Sequence, residues 1–276
     1  AAACRSIARE AERLKREFRI PSDQQGDVDA CGLLLSFAYP DRIAERRPAG
    51  RFLLSRGRGA AFVRAQPLSA APYLVAAELD DQGAESSIHM AAPVDPADLE
   101  RHFADTIETE TLIAWNREVQ AVQARKRVRL GAVTLREAPL ADPDPQQMLA
   151  ALIDGIAREG LRLLPWTKAA RQFRQRLAFM HRLDPSWPDV SDEALVATLT
   201  EWLAPHLYGM RSRDDLQRLD LAEIFASMLP WERRRELDEC APAYITVPSG
   251  SRIAIDYGDP AAPVLAVRLQ ELFGLE

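Results

Sequence analysis

Lysine is scarce in this chain. Of the 35 basic residues only Lys15, Lys126 and Lys168 are lysines, and none of them follows a glycine. A Walker loop needs Gly-Lys-Ser/Thr to bring an ammonium onto the nucleotide phosphates, so that loop is excluded. Cysteine is as rare. Cys4, Cys31 and Cys240 stand far apart, with no CxxC pair and no even disulfide framework, which points to a reducing cytoplasm. The four histidines (His89, His102, His181, His206) have no second ligand one helical turn away, and a metal site is not expected. There is no GxSxG elbow, and PSGSR lacks the strand-to-helix context of a serine nucleophile. Asp192-Glu193-Ala194 resembles an ATPase box, but Leu195 follows it and it opens a helix, so it is discarded. No apolar run reaches the roughly 18 residues of a membrane span, and no basic-then-apolar signal opens the chain. No catalytic residue, metal or cofactor is expected in this segment.

What is present is the material of an ordinary globular protein. At 276 residues, 47% hydrophobic and 28% charged, the chain can build one large domain or two modest ones. Its first stretch places Cys4, Ile7, Ala8, Ala11, Leu14 and Phe18 on one helix face, yet it begins without Met and without a capping residue. Its last residues, VLAVRLQELFGLE, are expected to end close behind a helix. Both ends read as cuts through a longer protein.

Between them the period changes twice. A linker at Pro21–Asp27 precedes a short apolar helix from Val28 to Phe37, and DRIAERR then reads as an arginine-rich turn. From Arg51 a period of two predicts strands at 51–55, 60–66, 73–80, 86–91, 106–115, 119–128 and 132–137. A helix, DPADLERHF, interrupts them with acids in its first turn, where the dipole favours them. Seven short strands suggest a small, partly closed barrel. From Pro145 the helical period returns. Helices are expected around Met148–Ile156 and Phe173–Met180, from SDEALVATLTEWL with Ser191 as N-cap, and from Leu216 to Met228. The Leu164-Pro165-Trp166 and Leu229-Pro230-Trp231 elbows separate helical runs. The expected core of this region is Leu152, Phe173, Leu177, Leu199, Trp202, Leu219 and Phe225. A strand pair, AYITVPSGSRIAIDYG, follows.

Charge is unevenly spread. The net charge is −6 with a pI near 5.4, so bulk charge does not make this a polyanion binder. Yet from Asp41 to Arg64 seven arginines outweigh two acids, and from Arg117 to Arg129 five basic residues outweigh one. The first stretch contains LLSRGRGAAFV. Two glycines among arginines suggest a phosphate loop, but a strand follows rather than a helix N-terminus, so a hairpin turn is the better reading. Arg56 and Arg58 at that turn, with Arg125, Lys126 and Arg127, are the candidate nucleic-acid contacts, because a guanidinium fork suits phosphate and a basic barrel face suits a single strand. The competing reading is of solvated faces in a chain whose default cation is arginine.

Several stretches, in order, resemble the C-terminal region of the HrpB family of bacterial DEAH-box ATP-dependent helicases. They are YPDRIAERR…FLLSRGRGA, YLVAAELD, the R-x-L-G-A-V-T-L strand pair from Arg129, GLRLLPW, SWPDVSDEAL…WLAPHLYGM and VPSGSRIAIDY…PVLAVRLQELFGL. The resemblance implies the end of a helical ratchet region and linker at 1–27. It implies an OB-like β-barrel domain at 28–139 and a family-specific, mostly helical domain at 140–276. The fold class is therefore expected to be α+β, an OB-like barrel followed by a helical region with a C-terminal strand pair. The parent would be a nucleic-acid motor with ATP and Mg in motor domains lying before Ala1, and this fragment would neither bind nor hydrolyse ATP. Expected partners are single-stranded RNA or DNA and the motor domains of the same chain, with no membrane. The alternative is a protein-interaction or scaffold module without direct nucleic-acid binding.

Overall fold

Ile43 and Ala44 are sequence neighbours, and both are fully buried. Successive side chains of a strand point to opposite faces, so the strand that carries them must be covered on both sides. The computed structural model, which describes residues 2–21 and 26–268, shows how. Helices α1 (Ala2–Glu17) and α2 (Cys31–Ala38) precede strands β1 (Ile43–Arg47), β2 (Arg51–Leu54), β3 (Gly59–Phe62), β4 (Tyr73–Asp80) and β5 (Ser86–Pro93). These five strands close a barrel in the order β1-β2-β3-β5-β4, with β3 and β5 parallel and the other pairs antiparallel. Its interior is filled by Ala44, Phe52, Leu54, Ala60, Leu74, Ala76 and Ile88. Three of these are alanines, which suits the narrow interior of so small a barrel. The outer neighbours Ile43 and Val75 belong to a second core with Val94, Leu99, Val128, Leu130, Val133 and Leu135.

Helix α3 (Pro96–His102) is capped by Asp95, whose carboxylate accepts from the Ala97 N–H at 2.8 Å. Strands β6 (Ile107–Asn116), β7 (Ala121–Leu130) and β8 (Val133–Pro139) then form their own sheet, in the order β6-β7-β8. The chain divides into two compact units, Ala1–Glu110 with Arg127–Ala138, and Thr111–Lys126 with Pro139–Glu276.

The second unit holds α4 (Pro145–Glu159), α5 (Lys168–Leu183), α6 (Asp192–Ala197), α7 (Leu199–Trp202), α8 (Arg213–Leu216), α9 (Leu221–Ser227) and α10 (Trp231–Cys240). A three-stranded sheet of β9 (Tyr244–Thr246), β10 (Arg252–Asp256) and β11 (Val264–Leu265) follows in the order β11-β10-β9. Leu152, Leu177, Leu199, Trp202 and Phe225 are buried in its core, and Phe173 and Leu219 pack against that core half-buried. The ring of Phe225 stacks on Trp202 at 5.4 Å and lies 5.8 Å from Trp166. Pro165 and Pro230 stand ahead of α5 and α10, so both Leu-Pro-Trp elbows do separate helical runs.

The α+β class holds, with several differences in detail. The DRIAERR segment contains strand β1 rather than a turn alone; only two apolar residues mark it, because both its faces are covered near one end. Four of the seven expected strands join β1 in the barrel, and the other three form a separate sheet. Ser191 caps α6 as expected, its hydroxyl accepting from the Ala194 N–H at 3.2 Å, but that helix breaks at Thr198. The next expected helix breaks too, at Asp220, whose carboxylate caps α9 by accepting from Ala222 and Glu223. At the C-terminal end residues 264–265 are strand, and the expected helix beyond residue 268 lies outside the described residues.

Candidate nucleic-acid interface

Strands β2 and β3 are joined through Ser55, Arg56, Gly57 and Arg58. The Gly57 N–H donates to the Leu54 carbonyl and the Leu54 N–H donates to the Arg58 carbonyl, both at 2.8 Å. Gly57 takes φ 89°, the left-handed conformation that a glycine reaches without a Cβ clash. Gly59 opens β3 with ordinary strand geometry, so only one of the two glycines supplies positive φ. The expected hairpin is there.

Its arginines do not extend freely into solvent. Arg56 donates through Nη2 to the Asp81 carboxylate at 2.6 Å. Arg58 donates to the Asp81 carbonyl at 2.7 Å and to the Gly83 carbonyl, and its Nε lies 3.9 Å from an Asp81 carboxylate oxygen. That Nε is buried and has no hydrogen-bond partner among the described residues. The Ser86 hydroxyl and then Arg56 hold the Asp81 carboxyl below the usual carboxylate range. Close by, Arg51 pairs with Glu85 at 2.8 Å. The β4–β5 turn thus sets two acids against three arginines of the first basic stretch. The side chains of Arg56 and Arg58 still expose about a third of their surface (34% and 33%).

Sequence separation hid these pairings, since Asp81 lies far along the chain from Arg56. It also hid which cations remain open. Arg46 and Arg64 are exposed and have no side-chain partner among the described residues.

The second basic stretch lies on β7. Arg125 is exposed and donates to the Gln123 side chain at 2.8 Å, Lys126 is exposed, and Arg127 is half-buried against Glu137 at 3.1 Å. Arg129 pairs with Glu110 at 3.1 Å. Strand alternation places Arg125 and Arg127 on one face and Lys126 on the other, the face where Val128 and Leu130 are buried. These three residues therefore do not share one face of the strand.

Among the described residues no group of His, Cys, Asp and Glu is arranged to hold a metal ion. No helix of the described residues is long and apolar enough to cross a membrane. Cys31 and Cys240 are free thiols at exposed positions.

Residues 202–276 match the family described as ATP-dependent helicase C-terminal. The class that these residues resemble is the C-terminal region of an ATP-dependent helicase. The particular helicase that the chain resembles is HrpB: over 255 residues, 91% of its length, it is 36% identical to the ATP-dependent RNA helicase HrpB of Escherichia coli (strain K12). It covers 32% of that protein, so it spans about a third of the relative's length. Two crystal structures are also similar, described as the DExH-box NTPase HrpB and the DEAH/RHA helicase HrpB, both of Escherichia coli. The first is 34% identical, with 95% of this chain and 33% of the other covered and a TM-score of 0.49. The second is 32% identical, with 95% and 34% covered and a TM-score of 0.49.

Proposed function

We propose that this chain is a non-catalytic accessory region of a nucleic-acid helicase, which contributes strand contact through its barrel and strand β7 and packs on the motor core of the parent protein. The observation that carries this is the 36% identity to an ATP-dependent RNA helicase along 91% of the chain. ATP and Mg belong, in this reading, to the parent's motor domains, and single-stranded RNA or DNA is the ligand. Packing on the motor core is supported by α2, which leaves Leu34 64% and Phe37 51% exposed, more apolar surface than a short solvated helix needs.

Strand contact by Arg56, Arg58, Arg125, Lys126 and Arg127 is supported by their exposure, complete or partial, and by the phosphate-matching fork of arginine. The Asp81 carboxylate limits what Arg56 and Arg58 contribute, since an incoming phosphate must displace or share it. A titration with labelled single-stranded RNA and DNA at several salt concentrations tests the reading. Arg56→Ala with Arg58→Ala is expected to weaken binding alike on every sequence and to flatten the log–log salt slope by about 1 to 1.5 units, at roughly 0.7 per phosphate. Unchanged affinity and slope would show that the hairpin is only a hairpin.

A further inference from the structure

The second unit contains a cleft of about 750 Å³ whose lining includes Trp166, Arg171, Gln175, Ala178, His181 and Tyr257. Its size is that of a small-ligand pocket. One wall is α5, which carries Lys168, Arg171, Arg174, Arg176 and Arg182 and not one carboxylate. In a protein of net charge −6 such a helix is an exception.

Each acid of the cleft is held by another partner, so none is paired with Arg171 or Lys168. Glu159 pairs with Arg117 at 3.0 Å and with Arg162 at 3.2 Å. Asp192 pairs with Arg174 at 2.6 Å. Asp189 accepts from the Ser191 N–H at 2.8 Å, and that bond holds its carboxyl below the usual range. Arg174 itself donates to the Val190 carbonyl at 2.7 Å and lies over the Trp166 ring at 5.2 Å, which fixes both side chains.

What remains open is a set of donors. Arg171 is exposed, lines the cleft and has no side-chain partner among the described residues; the same holds for Lys168, one helical turn before it and outside the lining. Gln175, one turn further into the cleft, also has no hydrogen bond among the described residues. His181 turns Nδ1 to the Trp187 carbonyl at 2.7 Å. A carbonyl only accepts, so Nδ1 carries the proton and the second ring nitrogen is left without a partner among the described residues. Indole, phenol and alanine side chains supply apolar wall between these donors.

We infer that this cleft is a second nucleic-acid contact, with a phosphate of a single strand on Lys168 and Arg171 and one base in the cavity beside Gln175, His181 and Tyr257. The inference rests on the helicase reading above but uses none of the barrel residues. An open cation pair beside an apolar cavity with few, placed polar groups is the chemistry of a nucleotide unit, whereas an acidic peptide would use the cations and leave the cavity empty.

The test is fluorescence anisotropy of a labelled single-stranded oligonucleotide on the intact chain over a salt series, with circular dichroism to confirm folding. Lys168→Ala with Arg171→Ala should flatten the log–log slope by about 0.7, the share of the one phosphate they hold. A strand made abasic throughout should bind wild type about tenfold more weakly, since it keeps phosphates and loses stacking. Arg56→Ala with Arg58→Ala runs in parallel. If the barrel variant loses slope and affinity while the α5 variant keeps both, the cleft inference is overturned and the barrel reading stands. Loss in the α5 variant alone supports the cleft and removes the barrel hairpin from the interface. Two other results would overturn the inference: a mononucleotide that binds as tightly as the strand, making the ligand a free nucleotide, or polyglutamate that competes equally at matched charge.

Discussion

At the scale of single residues, two glycines illustrate what local chemistry reveals. Gly57 was legible: arginines and glycines between apolar runs mark a turn, and its φ of 89° supplies the reason a glycine stands there. Gly32 was not legible, because nothing in CGLLLSFA announces that the Pro93 carbonyl of β5 comes against α2. A Cβ built at Gly32 would fall 1.8 Å from that oxygen and 2.7 Å from its carbon, both backbone atoms that no rotamer change can clear. We expect Gly32→Ala to force α2 away from the barrel and to cost about 1–3 kcal/mol, as overpacking does. Chemical denaturation reads this directly, and an unchanged midpoint would mean that α2 docks more loosely than described. The partners of Arg56 and Arg58 were illegible for the same reason, since Asp81 and Gly83 reach them only through barrel closure.

At the scale of elements, strong periodicity and capping chemistry carried most of the reading. Strands β4 and β5 and helices α4 and α5 follow directly from their apolar spacing. Strand β1 escaped because a strand buried on both faces for two residues and charged for the rest shows no period of two. The breaks at Thr198 and Asp220 escaped because a side chain that bonds its own local backbone interrupts an apolar helical pattern without altering it. Helix α10 shows an end made by another element. Arg176, 5% exposed, donates to the Ala241 and Leu237 carbonyls and pairs with Asp238, so α5 supplies the C-terminal cap of α10. Removing it takes the donor from the Ala241 carbonyl, while the Leu237 carbonyl keeps the Ala241 N–H at 2.9 Å. Arg176→Ala is expected to destabilise the chain by about 3 kcal/mol. Arg171→Ala, exposed and on a helix without a carboxylate, should cost almost nothing in the same melt. Equal losses would mean that the open cation of the cleft is structural, which separates stability from binding on one helix.

At the scale of the whole molecule, the resemblance to HrpB was legible from ordered segments such as FLLSRGRGA, GLRLLPW and VPSGSR, and the identity of 36% over 91% of the chain bears it out. The candidate interface was less legible. Counting charge along the sequence finds basic stretches but not the acids that fold onto them, and it passed over α5, whose cations are spaced by helical turns rather than run together. ATP turnover belongs to this scale as well, because hydrolysis needs a phosphate loop, a lysine on the phosphates and a metal ligand in one place. Lys126 lies on strand β7, Lys168 follows Thr167 at the start of α5, and Lys15 lies in α1; none follows a glycine. The Gly-x-Gly turn runs into strand β3, so no helix dipole or free N–H row faces a phosphate there. We therefore expect the purified chain to release no phosphate from ATP with Mg, with or without single-stranded RNA, even where it binds the strand. A coupled phosphate-release assay checks this. Turnover that rises with added RNA and survives further purification would mean that a catalytic centre lies within these 276 residues and that the accessory reading is wrong.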